Sequence, residues 1–135
     1  MSNSTVTVTA LIQFLDPDSG ISPAAALPYG PSSFAGTEHT YMQGVMTVPT
    51  TAGGTAIPLG PVSAPGDSAF INRDPTNFVT ILSGVGGTKV SQLDPGKLLL
   101  IPFDPTITAP AAKADTASIQ MSYFIVNRGD VSPVP

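Results

Sequence analysis

Ala117-Ser118-Ile119-Gln120-Met121-Ser122-Tyr123-Phe124-Ile125-Val126 sets Ala117, Ile119, Met121, Tyr123 and Ile125 on one face of an extended chain. That is period two, the signature of a strand with one face in a core. The stretch Thr5–Leu15 repeats the pattern. Val6, Val8, Ala10, Ile12 and Phe14 alternate there with Thr5, Thr7, Thr9, Leu11 and Gln13. Between these two runs, turn chemistry cuts the chain into short pieces. Thr40–Val48, Ser68–Asn72, Asn77–Leu82, Thr88–Leu93 and the apolar Lys97–Phe103 read as strands. Gly84–Gly87 and Asp94-Pro95-Gly96 read as tight turns between them. Pro49–Gly66 is broken by Gly and Pro, leaving a short edge strand around Ala56–Leu59.

Three segments read as irregular: Ile21–Ser33 with Pro23, Pro28 and Pro31, then Asp104–Ala114, then a tail over 127–135. No segment carries a helical period. Ala24–Leu27 and Ala111–Asp115 are too short to stand as helices. Seven or eight short strands with turns between them predict an all-β protein. The expected form is a single-domain antiparallel β-sandwich over 1–135, the jelly roll being one version, with long Pro/Gly-rich loops and an N-terminal arm at 1–4.

Composition narrows the function. Only 10% of residues are charged, against about a quarter in ordinary domains, and the net charge is −4. Nucleic-acid binding needs a basic face, and Arg73, Lys89, Lys97, Lys113 and Arg128 form no cluster in sequence. A surface this poor in charge suits a protein that works packed against neighbours. There is no Cys, hence no disulfide framework or thiolate chemistry. The first residues show no signal-peptide pattern, and no window is long and apolar enough for a membrane span.

The search for chemistry returns local structure. His39 is the one histidine, and Glu38-His39 alone is no metal cluster. No G-x-S-x-G elbow is present. Asp16-Pro17-Asp18-Ser19-Gly20 opens like a calcium loop, but its twelfth position is Leu27 and not the bidentate Glu required. Gly84–Lys89 lacks the phosphate-loop spacing. Arg128-Gly129-Asp130 spells an adhesion tripeptide and reads as a turn in the tail. No catalytic, metal or cofactor residue is expected. Asn72, Asp74, Thr76 and Asn77 instead have the spacing of Asx turns that lock a corner. Asp94 with Gly96 can hold a hairpin, and Asp115 with Thr116 the entry to the last strand.

The same residues carry a resemblance. Asn72-Arg73-Asp74-Pro75-Thr76-Asn77-Phe78-Val79, then Leu93-Asp94-Pro95-Gly96 with the apolar Leu98–Leu100, then Ala112-Lys113-Ala114-Asp115-Thr116-Ala117 followed by Tyr123, resemble small β-rich structural proteins of tailed-bacteriophage particles. The three blocks keep their order there. The resemblance implies a non-enzymatic capsid decoration or cement protein, located in the virion after assembly in the host cytoplasm. Its partners would be the major capsid protein or other virion proteins, and its own copies as a homo-oligomer, a trimer above all. Nucleic acid and membrane are not expected partners. Ser2, Asn3, Ser4, Thr5, Pro23, Pro28, Tyr29 and Pro31 are the expected partner contacts. A tail, fibre or head–tail joining component is the alternative within the class. A carbohydrate-binding module is the alternative outside it.

Overall fold

The computed structural model describes residues 4–16, 21–36, 41–128 and 131–133, with 4–16, 21–36 and 131–133 at the level of backbone pairing. In chain order the strands are β1 (Ser4–Asp16), β2 (Ile21–Gly36), β3 (Tyr41–Val48), β4 (Thr55–Ala56), β5 (Pro65–Asn72) and β6 (Val79–Leu82). After these come β7 (Lys89–Leu93), β8 (Leu98–Pro102), β9 (Ala111–Ala114), β10 (Ile119–Asn127) and β11 (Val131–Pro133). No helix occurs among the described residues. The chain divides into two compact units, Met1–Glu38 with Asp130–Pro135, and His39–Gly129. The sequence reading, which took one sandwich over the whole length, did not anticipate that division.

The first unit is an antiparallel sheet in the order β1-β2-β11. Its middle strand corrects the reading of Ile21–Ser33 as an irregular loop. Prolines fit this strand because of where they fall. The β1–β2 register slips between Val8 and Ala10 and again between Phe14 and Asp16. Pro31 and Pro23 lie opposite those slips, where a strand tolerates a missing N–H. Pro28 pairs with Leu11, yet β11 pairs only with Phe34–Gly36, so all three prolines lie where β2 has a single neighbour. Residues 131–133, expected as tail, form β11.

The second unit is a β-sandwich of two antiparallel four-stranded sheets, β3-β10-β5-β8 and β4-β9-β6-β7. The pairing is nested: β6 with β7, β5 with β8, β4 with β9, and β3 with β10. This is the pattern of one long hairpin rolled so that successive rungs alternate between sheets. Met46, Val48, Phe70, Met121, Tyr123 and Ile125 from one sheet meet Val79, Ile81, Leu93, Ala112 and Ala114 from the other in a single core. Phe70 packs edge-on against Phe103 at 5.9 Å between ring centres.

Two boundaries depart from expectation. Ala111–Ala114 falls within the stretch Asp104–Ala114 that the sequence reads as loop, and Ala and Lys are weak strand formers. It is β9, between β4 and β6, with Ala111, Ala112 and Ala114 buried on both faces. Small side chains let the covering loop approach, and tertiary burial overrides propensity there. Asn127, also expected in the tail, ends β10 and is buried. Its Oδ1 accepts from the backbone N–H of Ser63 and Ala64 at 2.9 and 3.0 Å.

Candidate functional site

The three turns after β5, β7 and β9 form one hydrogen-bonded corner. Asn72, fully buried at the end of β5, is its hub. Its Nδ2 donates to the carbonyls of Asn77 at 2.9 Å and Leu93 at 3.0 Å, while its Oδ1 accepts from the backbone N–H of Asp74 at 2.9 Å. Its own backbone accepts from Gly96 N–H and donates to the Lys97 carbonyl. Asp74 Oδ2 takes the backbone N–H groups of Asn77 at 2.6 Å and Thr76 at 3.0 Å, and the Thr76 hydroxyl at 3.2 Å. From the third turn, Thr116 Oγ1 donates to Asn77 Oδ1 at 3.0 Å, and Asp115 N–H donates to the Phe78 carbonyl.

Asp94 stands at the rim. Its Oδ1 accepts from Gln92 Nε2, its carbonyl closes the turn onto Lys97 N–H, and Gly96 takes the positive φ of 75° that the turn requires. The sequence-predicted corner residues are therefore brought together. The backbone N–H groups of Asn77 and Thr76 hold the Asp74 carboxyl below its ordinary range. A carboxylate so supplied with donors is a weak base, and its bonds hold the turn between β5 and β6 in place. Sequence reasoning missed a second copy of the device. Asp104 Oδ1 accepts from the Thr106 hydroxyl at 2.7 Å and its backbone N–H at 2.8 Å. Those two bonds lower the Asp104 carboxyl as well, helped by the charge of Arg128. The Asp-x-Thr spacing shared with Asp74 and Thr76 was the available signal.

The expected contact residues fall differently. Ser4 and Thr5 lie in β1, and Pro23, Pro28, Tyr29 and Pro31 in β2. Ser2, Asn3 and His39 lie outside the described residues. Arg128 is half-buried. Its N–H donates to the Ala64 carbonyl at 2.7 Å, and its Nε is buried without a hydrogen-bond partner among the described residues. The arginine of the adhesion tripeptide is thus held against the sandwich. Among the described residues no three His, Asp or Glu side chains gather to hold a metal.

The feature that sequence reasoning overlooked is the outward face of the β3-β10-β5-β8 sheet. In β10 every second residue from Ile119 is buried, which turns Gln120, Ser122, Phe124 and Val126 outward. Register then sets Val45, Ser122, Ile71 and Leu98 in one rung and Gln43, Phe124, Ala69 and Leu100 in the next. Tyr41, Val45, Leu98, Leu100 and Phe124 are between 39% and 63% exposed, and Tyr41 stacks on Phe124 at 5.6 Å. The opposite sheet is ordinary by comparison. Its central rung sets Thr80 between Lys113 and Gln92, and Lys89 bonds Gln92. The β3-β10-β5-β8 sheet thus turns large apolar side chains outward among Gln43, Gln120 and Ser122. No protein-family model, curated protein or solved structure matches this chain.

Proposed function

We propose that this chain is a non-enzymatic structural protein of a tailed-phage particle, a capsid decoration or cement protein attached to the major capsid protein. The observation that carries the reading is the corner. Three sequence blocks resemble phage structural proteins, and they lie far apart in the chain. They meet through Asn72, Asn77, Leu93, Gly96 and Thr116 in one hydrogen-bonded unit. Residues that recur together because they lock a fold are expected to do this. The nested strand pairing fits the double-sheet jelly roll, an architecture used by viral capsid and lectin domains. Low charge supports attachment through apolar burial and backbone bonding rather than through ion pairs, which at a surface give only about 0–1 kcal/mol each.

The test is co-sedimentation of the purified chain with empty capsids of a tailed phage across a salt series. Saturable binding that survives about 0.5 M salt supports the reading, since charge attraction is largely screened there. Absence of binding to heads, with binding to isolated tails, would move the protein to the tail, fibre or joining class. A lectin-like reading draws on the exposed ring of Tyr41. Glycan binding lost in Tyr41→Ala would favour it over the capsid reading.

A further inference from the structure

We infer that two copies of this chain associate face to face through the outward side of the β3-β10-β5-β8 sheet, about a two-fold axis passing near Ala69 and Ile71. The inference does not rest on the particle assignment, because it concerns the purified protein alone.

Area is the first argument. Large apolar side chains present up to roughly 150–250 Å² each. At the exposures found, Tyr41, Val45, Leu98, Leu100 and Phe124 together offer on the order of 500 Å² per copy. Ile71, Val126, Ala69 and Pro102 lie on the same face with part of their surface open, which brings the patch toward the ~800 Å² per partner of a standard interface. The five large side chains alone match the largest apolar patch of a typical monomer, about 300–600 Å² and often a contact site, and their neighbours on the face extend it.

Charge selects the occupant. The net charge of −4 opposes self-association in general. This face escapes the penalty, because its charged residues are one of each sign. Asp67 opens the outward row of β5 and Arg73 follows its end, with Ala69 and Ile71 between them. They are six positions apart along the strand, roughly 20 Å. A two-fold axis at the midpoint that runs across β5, in the plane between the sheets, lays each Asp67 beside the partner's end of β5 that carries Arg73. An isologous contact requires this self-complementarity, in which residue i meets j and j meets i. Arg73 is already oriented over the face, since its Nε donates to Ser122 Oγ at 2.8 Å. At that margin Gln120 Nε2 bonds Thr47 Oγ1 at 2.6 Å, which meets part of its hydrogen-bonding capacity within the face. Sheets that pack face to face lie about 10 Å apart with strands near −30°, which keeps both ends of β5 within reach of a long Arg side chain.

The experiment is native mass spectrometry with sedimentation velocity on the full chain. Dimers are expected at tens of micromolar. Leu100→Asp and Val45→Asp should each weaken the dimer about tenfold or more by placing a charge in the apolar patch. Asp67→Arg and Arg73→Asp should each weaken it several-fold, and the double swap should recover most of the loss, with thermal melts confirming that all variants fold. A monomer at about 100 µM, trimers without dimers, dimers indifferent to Leu100→Asp and Val45→Asp, or a double swap no better than its parents would overturn the inference.

Discussion

The side-chain amide of Asn72 donates to the Leu93 carbonyl at 3.0 Å, joining the end of β5 to the end of β7 across 21 positions of chain. Both groups are buried. Asn72→Ala would strand the carbonyls of Leu93 and Asn77 and the N–H of Asp74. Unmet buried groups cost about 1–3 kcal/mol each, and relaxation recovers part, so a loss of about 2–4 kcal/mol is expected. Denaturant melts would read this as a fall in midpoint with unchanged slope. Asn72→Asp should cost more at neutral pH, because it keeps the acceptor, removes both donors and buries a charge.

Asp74 and Asp104 make stability depend on acid. Both carboxyls lie below their ordinary range in the folded chain, Asp74 through the Asn77 and Thr76 amides and Asp104 through the Thr106 hydroxyl and amide. A depressed folded pKa contributes stability above the unfolded value, near 4, and loses it as pH falls through the folded value. Thermal midpoints should therefore drop as pH goes from about 5 toward 2. In Asp74→Asn and Asp104→Asn the midpoint should start lower at pH 7 and change less with acid. Parallel curves for wild type and both variants would show that these bonds do not contribute.

Much of the sandwich was legible because its signals are local. The alternation of Ile119, Met121, Tyr123 and Ile125 marks the core face of β10, and the spacing of Asn72, Asp74 and Asn77 marks the corner. Ala117 was the exception, since it precedes β10 and is exposed. What failed to show depends on neighbours. β9 is a strand because Thr55–Ala56 and Val79–Leu82 flank it, and nothing in Ala111–Ala114 says so. The prolines of β2 hide a strand that is bulged and mostly single-partnered. The apolar sheet face does not show in the sequence for a different reason. Leu98–Ile101 looks like a strand buried on both sides, yet β8 is an edge strand whose Leu98 and Leu100 point outward. Burial on both faces and adhesion on one give the same run of letters.

Gly54 and Gly86 separate two costs of a side chain. Both have positive φ, 89° and 74°. A Cβ at Gly54 would lie 2.7 Å from Leu82 Cδ1 and 3.3 Å from the Ala112 carbonyl, whereas one at Gly86 meets nothing within 4 Å. Gly86→Ala should show the conformational cost alone, about 1–2 kcal/mol. Gly54→Ala adds the clash that lifts its loop off Leu82 and Ala111, and should cost about 1 kcal/mol or more beyond that. Equal midpoints for the two variants would mean the loop over β9 yields freely.

Phe70 and Leu100 belong to adjacent paired strands of one sheet and face opposite ways. Leu100 pairs with Ala69, and Phe70, fully buried, with Leu99. Phe70→Ala removes a ring that packs against Phe103 and should cost about 3–5 kcal/mol. Leu100→Ser removes an apolar side chain that the folded monomer leaves 44% exposed. Its effect on monomer stability should stay within about 0.5–1 kcal/mol. Unfolding is best followed at sub-micromolar protein, where association does not contribute, and again at tens of micromolar. At the higher concentration wild type should gain stability by mass action and Leu100→Ser should not. If Leu100→Ser unfolds as readily as Phe70→Ala in dilute solution, the outward face of β8 is part of the core. Its apolar residues would then serve folding rather than contact.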